Sequence, residues 1–239
     1  MDVIELTADD PRLPVAYTEV LSLAFPRSEM VSLASLQNGL KAGTTTVQVM
    51  CDEAGSPSAV VVGDWSESSR LQLLSYLAVR PGCRAQGLGG QLLDAALANW
   101  RTNYRPCAIV AEVELPAEHE ATEQYGDPAA RMRFYARHGA KALHLPYFQP
   151  ALGAGPRWYG MALLSLHLDP ELAGAEPDTY SAEPLRTFML EYLDMAEGSV
   201  SDDPAVVALF DAIGRPGGCP LLPIEDLDLL PVSTPDGPR

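Results

Sequence analysis

The sequence predicts an α/β (α+β) layered domain with a helical extension, and three observations carry that expectation. An apolar strand pattern at the N-terminus leads into two helical patterns. Three strand-like segments then occupy much of residues 44–79. From there helices and strands alternate as far as residue 167. Helices and strands mixed in this order bury their apolar faces by packing in layers.

Taken in order, residues 3–7 read as a short strand, and 13–25 and 29–41 as helices. Thr44 to Met50 alternates and is β-branched. Ser58-Ala59-Val60-Val61-Val62-Gly63 is a second strand, with Glu53-Ala54-Gly55-Ser56-Pro57 as the turn between them. Leu71 to Val79 is an apolar run long enough for a buried strand. A glycine-rich loop follows, then a helix from about Gly87 to Trp100, with Leu88, Leu92, Leu93, Ala96, Leu97 and Trp100 at helical spacing. Cys107 to Leu115 reads as a strand. Asp127-Pro128 opens a helix with an N-cap aspartate and a proline in the first turn, and Gly139 is placed to end it. Ala142 to Tyr147 and Trp158 to His167 complete the strands.

The remaining chain has another character. Asp169 to Tyr180, rich in Pro, Gly, Ala and acid, reads as a linker. Glu183-Pro184 and Asp203-Pro204 each open a helix, the first with Leu185, Phe188, Met189, Tyr192 and Ala196 on one face. Beyond about Pro231 the sequence is expected to be disordered. The expected division is thus a domain over 1–168 and an extension over 169–239. The two helices of that extension could cover a cleft, pack on the core or form a homodimer contact.

Composition narrows the function classes. The chain has 239 residues, of which 47% are hydrophobic, and carries a formal net charge of -16. Such a balance argues against nucleic-acid binding, which neutralises phosphates with Lys and Arg, and against anionic membranes; it suits a cationic partner. No stretch approaches the roughly 18 apolar residues of a membrane span. The N-terminus shows no secretory signal, so a cytoplasmic protein is expected. Cys51, Cys83, Cys107 and Cys219 form no C-x-x-C pair and have no His-x-x-x-His run beside them, so reduced thiols and no metal site are expected.

The most informative segment is Arg84-Ala85-Gln86-Gly87-Leu88-Gly89-Gly90, between an apolar strand and an amphipathic helix. A pyrophosphate needs backbone N–H donors at a helix N-terminus and little side chain in the way, and three glycines with an arginine supply both. A P-loop would need Gly-Lys-Ser/Thr, and a dinucleotide fingerprint would need glycine where Leu92 stands; neither is present.

The run Arg84–Gly89 resembles the Arg/Gln-x-x-Gly-x-Gly/Ala motif of the GNAT superfamily of N-acetyltransferases. Leu77-Ala78-Val79-Arg80-Pro81 looks like that family's strand entering the loop. Arg133-Phe134-Tyr135-Ala136-Arg137-His138-Gly139-Ala140 resembles its Phe-Tyr-x-x-x-Gly helix end. The resemblance covers roughly residues 3–168. It implies a mixed sheet splayed between the strand ending at Val79 and the one ending near Leu115. It also implies acetyl-CoA as cosubstrate: pyrophosphate on Arg84, Ala85, Gln86, Gly87, Leu88, Gly89 and Gly90, and pantetheine along Leu77, Ala78 and Val79. An amine attacks the thioester directly, and Tyr135 protonates the departing thiolate.

Period-two alternation in Ala108–Leu115 puts Glu112 and Glu114 on one strand face. In the resembling fold that strand end borders the acceptor, so Glu112, or else Glu114, is the expected general base or amine anchor; either could instead face solvent or pair with Arg131 or Arg133. Tyr125 is a second candidate acid. A small-molecule primary amine is the favoured acceptor. A protein or peptide acceptor, or a non-catalytic acyl-CoA sensor, would use the same motifs.

Overall fold

In a computed structural model describing residues 2–122, 126–152 and 155–239, the chain forms two compact units. One comprises the residues up to Trp65 with Gln72–Tyr104; the other comprises Ser66–Leu71 with Arg105–Arg239.

The first unit is built on strands in the order β1 (Val3–Glu5), β2 (Thr45–Cys51), β3 (Pro57–Ser66) and β4 (Leu71–Val79). β1 and β3 flank β2 antiparallel, with Ile4 opposite Val49 and Val49 opposite Val60. The β2–β3 turn is tied by Asp52, whose carboxylate accepts the N–H groups of Ala54 and Ser56. Helix α1 (Arg12–Ala16) runs through a π turn, Tyr17–Leu21, into α2 (Ser22–Ala24); this is the helix expected over 13–25, with one widened turn. Helix α3 (Leu33–Ala42) starts on a Ser32 side-chain cap and stops at left-handed Gly43.

Leu13, Val20, Leu21 and Leu36 from these helices share a buried cluster with Val47, Val49, Val60, Val62 and Tyr76 from the strands. Helix α4 (Leu88–Asn103) fully buries Leu92, Leu93, Ala96 and Trp100. The Trp100 indole N–H donates to Thr46 Oγ1 at 2.9 Å. A Cβ on Gly63 would come within 2.5 Å of the Trp100 ring, so only glycine admits the indole there. β2 is buried at successive residues rather than alternate ones, as expected of a strand covered on both faces.

The second unit orders its strands β5 (Ala108–Glu114), β7 (Met161–Leu168), β6 (Lys141–Leu143), β9 (Cys219–Pro223) and β8 (Thr179–Tyr180). β5 and β7, β7 and β6, β6 and β9, and β9 and β8 pair antiparallel, with Glu112 opposite Leu163 and Leu143 opposite Leu221. Helix α5 (Pro128–Arg137) is capped by Asp127, which accepts the Ala129 N–H. Helices α6 (Ala182–Glu197) and α7 (Pro204–Ile213) bury Leu185, Phe188, Met189, Tyr192, Val206 and Ile213, while Phe210 lies half-buried beneath the Arg186 guanidinium.

Two expectations for the C-terminal part need correction. Residues 169–180 do not form a loose linker: Leu172 and Tyr180 are buried, Thr179–Tyr180 is a strand, and the Tyr180 hydroxyl donates to the His167 carbonyl. One leucine and one tyrosine anchor a segment whose composition otherwise reads as spacer. The chain past residue 214 is ordered as well. Its Cys219-Pro220-Leu221-Leu222-Pro223 run forms β9, masked in sequence because proline cannot donate to a ladder. Beyond Pro231, Val232 and Arg239 exchange two backbone hydrogen bonds. The strand expected over Ala142–Tyr147 is shorter, ending at Leu143 before Pro146, and the one expected from Trp158 starts at Met161.

Arg157 ties the helices to this unit. Its Nε and Nη2 hold Glu197 at 2.7 and 2.6 Å, its Nη1 reaches Asp203 at 2.7 Å, and its guanidinium lies over the Phe148 ring. Burial pushes the Glu197 carboxyl up, but hydrogen bonds from Arg157 and the Ala151 N–H outweigh it and hold the group below its ordinary value. Asp203 is likewise held low, burial being outweighed by Ser201, the Val206 N–H and Arg157. Carboxyls depressed on folding stabilise above their ordinary titration range and lose that contribution as pH falls through the depressed values. Arg157→Ala is expected to cost about 2–4 kcal/mol at neutral pH, because it strands two partly buried carboxylates. It should also flatten the acid limb of stability against pH. Urea unfolding at several pH values measures both effects.

Candidate active site

β4 ends at Val79, and the chain turns through left-handed Gly82 and Ala85 to Gly87, which sits at φ +78° as the N-cap of α4. No side chain caps this helix. The first intrahelical bond runs from the Gln91 N–H to the Gly87 carbonyl, so the N–H groups of Leu88, Gly89 and Gly90 precede the hydrogen-bonded turns. Arg84 through Gly87 are exposed. The Arg84 Nε lies 3.5 Å from the Val79 carbonyl, which keeps its guanidinium beside the strand end. Arg80, by contrast, is paired with Asp52 at 2.7 Å. An uncapped helix N-terminus behind glycines, with an arginine at its mouth, has the chemistry of a phosphate cradle.

The second unit carries the carboxylates. Glu112 lies on β5, half-buried. Its Oε1 accepts the Tyr147 hydroxyl at 2.7 Å, and its Oε2 accepts the Gln149 amide and the Tyr192 hydroxyl, each at 3.1 Å. All three donors are neutral. Burial raises the Glu112 carboxyl above its ordinary value, and the three hydrogen bonds only partly oppose it. Burial also pushes the Tyr147 phenol well up, helped by the Glu112 charge, so Tyr147 stays protonated and remains a donor. A carboxylate offers about four lone-pair positions. Three are filled, leaving one on Oε1 for a proton or an ammonium N–H.

Glu114, two residues on, is paired instead: its Oε2 accepts from Arg131 at 2.9 Å, and His119 stands 3.8 Å from Oε1. The strand therefore presents one neutralised carboxylate and one without a cationic partner among the described residues. Tyr135, on α5, is buried with its ring edge-on to Phe134, and burial raises its phenol to about 12. It is thus protonated throughout the working pH range. Tyr125 lies outside the described residues. His144 bonds Arg215 at 2.5 Å, and His138 packs on Phe134.

Sequence reasoning missed Tyr147, Gln149 and Tyr192 as partners of Glu112. They stand 35, 37 and 80 residues away in sequence, and no local motif links them.

Residues 44–139 match the family model of the acetyltransferase (GNAT) domain. This span runs from β2 through α5 and includes both the loop and Glu112. Over that span the chain is thus similar to the GNAT acetyltransferase domain. A protein from Bacteroides thetaiotaomicron assigned to GNAT-family acetyltransferases superposes with a TM-score of 0.59 at 22% identity, over 81% of this chain and 99% of its own. One from Acinetobacter baylyi ADP1, also assigned as an acetyltransferase, superposes with a TM-score of 0.51 at 14% identity, over 70% and 93%. At such identities the likeness is one of fold, and it confirms the α/β class read from the sequence. No curated protein matches the chain. No helix among the described residues is long and apolar enough to cross a membrane.

Proposed function

We propose that this protein transfers an acetyl group from acetyl-CoA to a primary amine, a small and cationic one, by direct attack. Acetyl-CoA, when bound, supplies the thioester carbonyl that the amine attacks and the thiolate that leaves. Arg84–Gly90 hold its pyrophosphate through backbone N–H groups, and Leu77, Ala78 and Val79 align its pantetheine arm. Glu112 anchors the ammonium and takes its proton, directly or through water. Tyr135 gives its proton to the departing sulfur and regains one from solvent.

The observation that carries this reading is the Glu112 cluster. A carboxylate this buried, with only neutral donors and one open acceptor position, is best satisfied by a protonated amine. Its raised pKa also makes it a stronger base than an ordinary carboxylate. Glu114, already neutralised by Arg131, serves to hold α5 to β5. The acidic balance of the chain favours a cation over an acidic acceptor.

Thiol release from acetyl-CoA, measured against a panel of polyamines, aminoglycosides, amino acids and peptides, tests the proposal. Turnover is expected with small cationic amines. Turnover with peptides alone would make the acceptor a protein, and CoA binding without turnover would make the chain a sensor. Tyr135→Phe is expected to lower kcat by a factor on the order of 10–10³, with CoA affinity within about twofold of wild type. Single-turnover kinetics reads the first effect and calorimetry the second; an undiminished kcat removes Tyr135 from the mechanism.

A further inference from the structure

Away from the candidate active site, the start of β5 and the end of β7 bring three donors of different chemistry together: the Cys107 thiol, a His167 ring nitrogen and an Asp169 carboxylate oxygen, all within 4.8 Å of one another. Cys107 precedes β5, His167 lies in β7 and Asp169 follows it. Antiparallel pairing sets Ala108 opposite Leu168, so Cys107 and Asp169 continue the same ladder. Two hydrogen bonds lock that pair: the Asp169 N–H donates to the Cys107 carbonyl at 3.0 Å, and the Cys107 N–H donates to Asp169 Oδ2 at 2.8 Å. The second bond pins one carboxylate oxygen and turns the other, Oδ1, toward His167 Nε2 at 3.2 Å. The backbone carbonyl of His167 is itself fixed by the buried Tyr180 hydroxyl.

We propose that Cys107, His167 and Asp169 form a binding site for a divalent transition metal ion, zinc foremost. Mixed sulfur, nitrogen and oxygen donors suit a borderline-soft ion such as Zn²⁺ and disfavour Mg²⁺ and Ca²⁺, which take oxygen ligands. The spacing fits as well. Bonds of about 2.0–2.1 Å to nitrogen and oxygen at a tetrahedral angle separate those two atoms by about 3.3 Å, and Oδ1 and Nε2 stand 3.2 Å apart. Zinc–sulfur bonds of about 2.3 Å widen the edges to sulfur to about 3.5 Å, inside the observed limit. On binding, the Cys107 S–H bond is exchanged for a sulfur–metal bond, and the proton leaves to solvent. Three protein donors leave the fourth position to water. His167 is half-buried and lines a cavity of about 310 Å³ with Lys141, Ser165 and Thr179. The site clips β5 to β7 at the end opposite Glu112, and it stands independently of the acetyltransferase reading.

Titration of Co²⁺ into the metal-free full chain tests the proposal. One equivalent is expected to bind, with visible ligand-field bands of a four-coordinate ion and a near-ultraviolet thiolate-to-cobalt band, both removed by Zn²⁺. Cys107→Ser should abolish the thiolate band while the other three cysteines remain. His167→Gln, at a half-buried position less demanding of the fold, should weaken affinity at least ~100-fold, since even loss of a group supporting a ligand costs 10–100-fold. Circular dichroism confirms folding of both variants. If wild type binds no stoichiometric Co²⁺, or if His167→Gln binds it with unchanged affinity and spectrum, the three groups are a hydrogen-bonded cluster only and the proposal falls.

Discussion

Glu112→Gln is expected to lower kcat/KM for the best amine by a factor on the order of 10²–10⁴, the usual worth of a positioned base. The shape of the pH profile is as informative as the magnitude. Glu112 must be ionised to accept a proton, and burial raises its carboxyl above the ordinary value. Wild-type kcat/KM should therefore fall as pH drops through that raised value, and the variant should lack this limb. The effect on folding has the opposite sense. A carboxyl raised on folding contributes stability below its ordinary range and loses it as pH rises through the raised value. Removing the charge at neutral pH should leave the melting temperature unchanged or higher, so lost activity cannot be ascribed to unfolding. Glu114→Gln, which breaks only the Arg131 contact, should change kcat/KM less than about threefold, within the modest energies of partly exposed ion pairs. Equal losses in both variants, or a retained acid limb in Glu112→Gln, would assign the base elsewhere.

Gly89→Val should weaken CoA binding by about 10²-fold or more. Gly89 lies in the first turn of α4, where the unbonded N–H groups gather. A Cβ there would already stand 3.4 Å from the Val79 Cγ2, and two further methyl groups add bulk beside the unbonded N–H groups proposed to hold the phosphate. The backbone angle of Gly89 is not in the left-handed region, so the variant can fold. Gly87, at φ +78°, would also strain its own backbone by about 1–3 kcal/mol if replaced, which makes it the poorer probe. Calorimetry with CoA reads the result. Unchanged affinity in folded Gly89→Val would move the pyrophosphate off this loop.

How far the sequence discloses this molecule depends on range. Elements framed by local signals are legible: Asp127-Pro128 and Asp203-Pro204 cap their helices as expected, and Leu71–Val79 is a strand with those bounds. The glycine loop stands out for the same reason, since it consists of seven consecutive residues. β9 does not, because two prolines hide it and its ladder partner β6 lies far back in the chain. Glu112 could be singled out by alternation along one strand, but not distinguished firmly from Glu114. That distinction comes from Arg131 on α5, and from Tyr147, Gln149 and Tyr192, which only tertiary packing brings together. Tyr192 also gives the C-terminal helices a part in the Glu112 cluster. The Cys107, His167 and Asp169 grouping was invisible for a related reason: metal motifs are read from close spacing, and here a strand pairing supplies the proximity.

The most direct measurement is the product of acetyl transfer itself, resolved by mass spectrometry after incubation with acetyl-CoA and the amine panel, alongside CoA thiol release. A small cationic amine bearing one acetyl group on nitrogen is expected, formed in equal amount with free CoA and lost with Glu112→Gln. Acetyl-CoA binding accompanied by no thiol release above the uncatalysed rate with every primary amine tested would contradict the proposed function.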